Sequence, residues 1–145
     1  MKGLIQRVTQ AKVYANDEMQ GEIGNGLVLL LGVERKDTVA EADRLLDKVL
    51  RYRIFEGAGG RMNLSLLDVE GGLAIVSQFT LVADTEKGLR PGFSRAAEPD
   101  TGKHLYHHLV DRARKQIPAT VTGIFGADMV VELSNRGPAT FMLSV

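Results

Sequence analysis

A short polar stretch at the end of an apolar segment is the strongest candidate for chemistry in this 145-residue sequence. It is Ser77-Gln78-Phe79-Thr80, and it places three hydrogen-bonding side chains where a buried strand normally ends in a turn residue. Polar groups at such a position need hydrogen-bond partners. Those partners are either the backbone at the strand end or a ligand, and the residue types alone leave both interpretations open.

Residues 135–140 form the second polar stretch, which separates two apolar segments. It begins with Asn135, ends with Thr140 and contains the pair Gly137-Pro138. An ordinary turn is the simplest explanation of a Gly-Pro pair between two strands. Peptide bonds before proline are cis in about 5–6% of cases in folded proteins, so the pair alone does not predict the isomer.

Three histidines lie on one predicted helix, and two of them, His104 and His108, are one helical turn apart, a spacing that could bind a metal ion. These two and His107 lie opposite the apolar stripe of that helix, so we expect them to face solvent. We therefore predict no metal site, no cofactor and no histidine-based catalytic triad. A metal-dependent hydrolase that uses His104 and His108 stays as an alternative, which loss of activity on chelation would reveal.

The composition is that of one globular domain, with 44% hydrophobic and 25% charged residues. The chain has no cysteine, which fits a reducing compartment, and no apolar run long enough for a membrane span. Eighteen basic residues balance eighteen acidic ones, so no overall charge attracts nucleic acid or lipid. We expect a single cytoplasmic domain over residues 1–145 that contacts no membrane and binds any polyanion through a local patch.

The elements that would position the two polar stretches are predicted from apolar periodicity and capping residues. Thr38 and Glu41 form a capping-box pattern that predicts a helix over about 39–53, and an apolar stripe predicts another over about 101–116. A hairpin turn is predicted at Asn16-Asp17, a long loop over 83–99, and strands over 4–8, 11–14, 27–33, 73–79, 119–124, 129–133 and 139–143. The expected fold is a single α+β domain with a mainly antiparallel sheet, or a partly closed barrel, and two principal helices.

Taken together, the two polar stretches resemble the signature of the D-aminoacyl-tRNA deacylases, homodimeric enzymes that hydrolyse the ester between a D-amino acid and the terminal adenosine of tRNA. The stretch at 77–80 is more similar to the D-specific branch than to relatives that edit an L-amino acid. Further matches over nearly the whole chain are Ile5-Gln6-Arg7-Val8, Gly21-Glu22-Ile23-Gly24, Gly26-Leu27, Leu30-Leu31-Gly32-Val33, Arg53-Ile54-Phe55, Met62-Asn63-Leu64-Ser65, Arg90-Pro91, Phe93-Ser94 and Phe125-Gly126-Ala127-Asp128-Met129. One departure is Arg136, where the family often has an acidic residue.

The resemblance implies how such an enzyme selects its substrate. In the family the Gly-Pro bond is cis and enters the pocket of the neighbouring subunit, where the glycine carbonyl meets the α-amino group of the substrate. Carried over to this sequence, Gly137 and Pro138 occupy the space into which an L side chain would point. The implied protein is a homodimer with a cross-subunit site that accepts D esters, rejects L esters and accepts glycine to some extent.

The resemblance also implies a mechanism without a protein base. Backbone N–H groups of Phe79 and Thr80 would hold the scissile carbonyl, the ribose 2′-hydroxyl would assist hydrolysis, and Ser77 and Gln78 would support the strand end or contact the adenosine. An older view of the family makes the threonine a nucleophile. We also expect substrate contacts from Met129, in the adenine pocket, and from Asn135 and Thr140.

Lys87, Arg90 and Arg95 form the best local basic patch, directly after Thr80 in sequence, and we expect them to contact the tRNA acceptor end. The alternative is a solvated loop that Asp84 and Glu86 neutralise. The competing class of function is a non-catalytic module that binds RNA ends or associates with DNA, in which both polar stretches only build a subunit interface.

Overall fold

One long strand organises the sheet in the computed structural model, which describes residues 1–86 and 88–145. This strand is β1 (Lys2–Ala15), and its three partners are all antiparallel to it. Two of them share one edge of β1, and they are β2 (Glu18–Ile23) and β3 (Gly26–Gly32). The other edge of β1 pairs along nearly its whole length with β8 (Met129–Ser144).

The predicted hairpin turn between β1 and β2 is confirmed. Asn16 and Asp17 both have positive φ, at 50° and 64°, which is the backbone that a two-residue hairpin turn needs. The predicted strands over 4–8 and 11–14 are two halves of the continuous strand β1. On the edge away from β8, each half pairs with a different strand: residues 2–8 pair with β3, and residues 11–15 pair with β2.

The part of the sheet that carries the first polar stretch is parallel. β3 pairs with β6 (Gly72–Ser77), and β6 pairs with β7 (Thr120–Thr122), both in parallel register. A long connection that contains a helix precedes each second strand, as parallel pairing requires. The sheet is thus mixed, and Gly21 of β2 approaches Val121 of β7, which nearly closes it.

Both predicted helices are confirmed, as α1 (Val39–Arg51) and α2 (Pro99–Gln116). The capping box of α1 is present, with Thr38 N–H donating to Glu41 Oε2 at 2.8 Å and Ala40 N–H donating to Thr38 Oγ1 at 3.2 Å. Hydrogen bonds from Thr38 lower the pKa of Glu41. The helix α2 begins two residues earlier than expected because proline is compatible with the first position of a helix.

The two helices bury apolar faces against the sheet and fix the ends of β3 and β6. Each fully buried leucine or isoleucine side chain contributes roughly 1.5–3 kcal/mol. This core contains Leu45, Leu46, Val49, Leu105, Leu109, Leu27, Leu29, Leu31, Leu73 and Ile75. Neither helix in the described part of the chain has the length and apolar character needed to cross a membrane.

The last strand differs from the sequence prediction of two strands separated by a turn. β8 is one 16-residue strand, because both of its halves pair with β1. On β1, only Arg7 lies between Gln6 and Val8, whose partners on β8 are Thr140 and Asn135. Residues 136–139 therefore bulge outward opposite a single residue of β1. We call residues 135–140 the Gly-Pro bulge.

A small hairpin of β4 (Phe55–Glu56) and β5 (Met62–Leu64) was not predicted from the sequence. It is too short for a periodic pattern, and the glycines at 57, 59 and 60 form its connection. Its first strand lies next to the Gly-Pro bulge, since the backbone carbonyl of Ile54 and the side chain of Glu56 both contact Arg7.

Candidate active site

A cavity of about 640 Å³ lies at the end of β6, within the size range of small-molecule binding sites. Four segments form its wall: the end of β6 with the residues that follow it, residues 93–106 at the start of α2, residues 125–131 at the start of β8, and residues 31–35 at the end of β3. Ser77, Gln78 and Phe79 belong to the first segment, and the half-buried Met129 belongs to the third. Four of the predicted site residues therefore line one cavity.

Free backbone donors occur where β6 ends. The chain passes from Ser77 into a short 3-10 helix, Phe79–Val82, in which Leu81 N–H donates to Gln78 C=O at 3.2 Å. The first N–H groups of any helix have no acceptor inside it. Here those groups belong to Phe79 and Thr80, and neither has an acceptor among the described residues. Gln78 N–H, in contrast, donates to Leu31 C=O at 2.8 Å and fixes the strand end.

The Thr80 side chain is exposed and bonded to its neighbour. Gln78 Nε2 donates to Thr80 Oγ1 at 2.5 Å. No histidine or carboxylate contacts this hydroxyl in the portion of the chain that the structure describes. The wall has two carboxylates, Glu98 and Asp128, which are both exposed and have no hydrogen bond with Thr80 there. A base that could activate Thr80 as a nucleophile is thus missing from its described surroundings.

The aromatic residues Phe79, Phe93 and Tyr106 line the cavity. Phe79 is 60% exposed, and its ring lies 5.0 Å from the ring of Phe93, so the pair forms an open apolar rim. Tyr106 is buried in the wall, and its hydroxyl donates to Ile75 C=O at 3.0 Å, with Gly123 C=O 3.3 Å away. Burial raises the pKa of Tyr106 to about 12. Tyr106 therefore stays neutral and ties α2 to the end of the sheet.

The Gly-Pro bulge lies outside this cavity of the same chain, since the described wall contains none of residues 135–140. The Gly137-Pro138 bond is cis, as the resemblance implied. Asn135 Oδ1 accepts from Ala139 N–H at 3.0 Å, and Asn135 Nδ2 donates to Thr140 Oγ1 at 2.7 Å. Asn135 and Thr140 thus join the two ends of the bulge, and their contact with substrate stays a prediction.

The buried residue Arg7 contacts the backbone of the Gly-Pro bulge. No role was predicted for it from the sequence. Arg7 is 5% exposed, and it donates from Nη1 to Ile54 C=O at 2.8 Å and from Nε to Arg136 C=O at 3.2 Å. Its Nη2 lies 3.7 Å from Glu56 Oε1. The available signal was an arginine in the middle of an apolar strand, since such a residue needs partners when buried.

In the structure, Arg95 of the predicted basic patch is paired with acidic residues of its own loop. Lys87 lies outside the described residues. Arg95 Nη2 lies 3.1 Å from Glu86 and 3.5 Å from Asp84, and these carboxylates raise the pKa of Arg95. Arg95 is thus engaged by its own loop, as the alternative of a neutralised loop expects. Arg90 is exposed beside the same carboxylates.

The histidines are not assembled into a metal site in the described residues, which contain no group of three metal-ligating side chains. His104 and His107 are exposed, as expected. His108 is half-buried instead, and its Nε2 lies 2.7 Å from Asp43 Oδ1 of α1. That contact lowers the pKa of Asp43. The single-helix argument missed this pair because α1 packs beside α2.

The chain is similar in sequence to known proteins over nearly its whole length. The family model described as D-Tyr-tRNA(Tyr) deacylase matches residues 4–144. The chain is 55% identical over 150 residues to a D-aminoacyl-tRNA deacylase of Ralstonia nicotianae, with 100% of this chain and 90% of the relative covered. It is 54% identical to a D-aminoacyl-tRNA deacylase of Salmonella newport, with both chains fully covered.

Solved structures are similar over the same length. One, titled c-Myc DNA Unwinding Element Binding Protein, has a TM-score of 0.94 and 34% identity, and covers 100% of this chain and 99% of its own. Another, titled as a probable eukaryotic D-amino acid tRNA deacylase, has a TM-score of 0.84 at 18% identity, with 99% and 98% covered. The second likeness shows a shared fold only.

Proposed function

The chain belongs to the D-Tyr-tRNA(Tyr) deacylase family and is a D-aminoacyl-tRNA deacylase, a hydrolase, and we propose how its site performs that reaction. The substrate is the acceptor end of a tRNA esterified with a D-amino acid or, less efficiently, with glycine. The products are free tRNA and the amino acid. Because aminoacyl-tRNA is consumed in translation, the proposed site of action is the cytoplasm.

The observation that carries the mechanism is the pair of N–H groups at Phe79 and Thr80, beside the cavity, which have no acceptor within residues 1–86 and 88–145. With the terminal adenosine in the cavity, these N–H groups donate hydrogen bonds to the ester carbonyl oxygen and stabilise the negative charge that develops on it. Water attacks the carbonyl carbon, the ribose 2′-hydroxyl assists the proton transfer, and the 3′-oxygen leaves with a proton. An oxyanion donor of this kind lowers the barrier by about 3 kcal/mol.

Met129 fits the adenine end of the cavity because it lies on the wall formed by residues 125–131. Its thioether gives an apolar, adaptable surface for a purine face. Ser77 and Gln78 lie on the wall segment at the end of β6, where they support the strand end or contact the adenosine. Nothing in this mechanism requires a metal ion or a cofactor.

Selection against L-amino acids is assigned to Gly137 and Pro138 of a second subunit. Within one chain the bulge does not line the cavity in the described wall, so a single chain has no chiral filter at its own Phe79. In a homodimer the partner supplies the bulge, the Gly137 carbonyl accepts a hydrogen bond from the substrate α-amino group, and an L side chain meets backbone atoms. Arg7 and Asn135 hold the bulge in place for this role.

We expect the protein to be a homodimer at working concentration. β8 is an edge strand in the described sheet, and it exposes Val130 (56%) and Met142 (50%), so its pairing with a partner removes both an open edge and apolar surface. Light scattering coupled to gel filtration measures the mass of the active species. An active monomer would contradict the cross-subunit filter and leave the deacylase activity in place.

The experiment that tests the proposed selectivity compares D-Tyr-tRNA, L-Tyr-tRNA and Gly-tRNA. We expect kcat/KM for the D ester to exceed that for the L ester at least about 100-fold, since backbone clashes of a few kcal/mol exclude the L side chain. Gly-tRNA should fall between them. Similar turnover of the D and L esters would contradict the filter.

The same assay separates the enzyme from a nucleic-acid-binding module. That alternative has one specific observation in its favour, the 34% identical structure titled as a DNA-element-binding protein. Tight binding of D-Tyr-tRNA without release of tyrosine would support the module. Multiple turnover of the D ester supports the enzyme.

A further inference from the structure

Arg35 lies on the wall of the cavity and has no role among the sequence predictions. It follows β3, and its N–H donates to Arg95 C=O at 2.9 Å, while its neighbour Glu34 forms a β-bridge with Ala96. These contacts fasten residues 93–98 to the end of β3. Among the described residues of the wall, Arg35 is the single lysine or arginine.

The guanidinium of Arg35 forms a long, solvent-exposed ion pair with Glu98. Its Nη2 lies 3.6 Å from Glu98 Oε1, and the two side chains are 60% and 76% exposed. Ion pairs at that exposure contribute little, because water and salt screen both charges. A phosphodiester, which carries one negative charge shared by two oxygens, can therefore compete with Glu98 for Arg35.

We infer that Arg35 binds the phosphate that joins the last two nucleotides of the acceptor end, an inference that rests on the proposed function. The ester sits at the Phe79 amide, and the 5′-phosphate of the same nucleotide is one sugar ring away from it. Phe79 and Arg35 line one cavity, so a nucleoside placed between them directs its phosphate toward the cation. A guanidinium is also the side chain best suited to bind phosphate oxygens in pairs.

The phosphate contact is thus assigned to Arg35, whereas the sequence predicted a contact with the tRNA through Lys87, Arg90 and Arg95. Arg95 is held by Asp84 and Glu86, whereas the partner of Arg35 is one exposed carboxylate at longer distance. Glu98 then acts as a competitor for Arg35 in the free enzyme. Its removal should strengthen phosphate binding, while removal of Arg35 should weaken it.

Two small substrates test the inference on the full-length protein. One is D-tyrosyl-adenosine, which has no phosphate, and the other is D-tyrosyl-CpA, which has the internucleotide phosphate. We expect Arg35→Gln to lower the ratio of kcat/KM for CpA over adenosine about tenfold, mainly through KM. Glu98→Gln should raise that ratio by severalfold, and the salt dependence of KM for CpA should weaken in Arg35→Gln.

Lys36→Gln is the matched control, because it removes an equally charged, exposed side chain from the next position, outside the described cavity wall. We expect the substrate ratio of this variant to equal that of the wild type. Equal losses of Arg35→Gln on both substrates, or the same ratio change in both variants, would overturn the inference. A wild type that hydrolyses neither D ester nor D-Tyr-tRNA would instead contradict the proposed function.

Discussion

A D-aminoacyl-tRNA that ends in 2′-deoxyadenosine is expected to be hydrolysed about 100- to 1,000-fold more slowly than its ribose counterpart, whereas Thr80→Val should slow the reaction less than tenfold. The first expectation follows from the proposed role of the 2′-hydroxyl in proton transfer. The second follows from the surroundings of the Thr80 hydroxyl, whose partner is the Gln78 amide rather than a base. The N–H of residue 80 survives the substitution, because it belongs to the main chain.

Single-turnover rates with both substrates on both proteins measure the two effects together. Thr80→Ser is the control, because it keeps the hydroxyl and removes only a methyl group. An inactive Thr80→Val with an active Thr80→Ser, together with an unimpaired deoxy substrate, would restore threonine as the nucleophile. The ester would still be hydrolysed in that case, so the family activity does not depend on the outcome.

Gly137→Ala is expected to lower kcat/KM for D-Tyr-tRNA about 100-fold. Gly137 has φ +121°, where a side chain is strained by roughly 1–3 kcal/mol. A Cβ at this position would also lie 2.9 Å from Arg7 Nη2 and 3.1 Å from Ala139 N, so the bulge and its arginine support must both shift. Displacement of the Gly137 carbonyl removes the contact proposed for the α-amino group.

Gly59→Ala is the matched control for the backbone strain. Gly59 has φ +81° in the β4–β5 connection, and a Cβ there has no heavy atom within 4 Å. Both variants should therefore lose stability, measured as the denaturant midpoint, but only Gly137→Ala should lose activity beyond that loss. Full D-specific activity in Gly137→Ala would show that the bulge is not the chiral filter.

Local signals allowed the helices and the first hairpin to be predicted from the sequence. The start of α1 follows from two residues three positions apart, Thr38 and Glu41, because both the backbone N–H and the hydroxyl of Thr38 donate to the Glu41 carboxylate. The hairpin turn follows from Asn16 and Asp17, which tolerate positive φ. Each of these features is decided by neighbours in the chain, so residue types suffice to predict it.

Features that depend on distant partners were missed. The continuity of β8 across the Gly-Pro bulge depends on pairing with β1, and the position of Arg7 beneath it depends on the Ile54 carbonyl. His108 was placed in solvent because the helical pattern contains no information about Asp43 on α1. In the same way, the predicted basic patch counted charges along the chain, while the structure pairs Arg95 within its own loop.

The candidate site was predicted in part for a related reason. A polar strand end at 77–80 is visible in the sequence, but the N–H groups of Phe79 and Thr80, which find no acceptor in the described part of the chain, arise from the turn into a 3-10 helix. Backbone donors have no residue-type signature of their own. The role proposed for them comes from the family resemblance, and the cavity beside them is visible only in the fold.

The pairing of β1 with β8 also bears on how the chain acquires its fold. Gln6 lies opposite Thr140, so more than 130 residues must be synthesised after one half of this ladder before the other half exists. Contacts between such distant positions carry a large loop-closure entropy and slow folding. Until β8 arrives, one whole edge of β1 has free N–H and C=O groups, next to the apolar β3. An unpaired edge of that length can pair with other nascent chains, so the time between translation of β1 and of β8 is when this protein is most prone to aggregate.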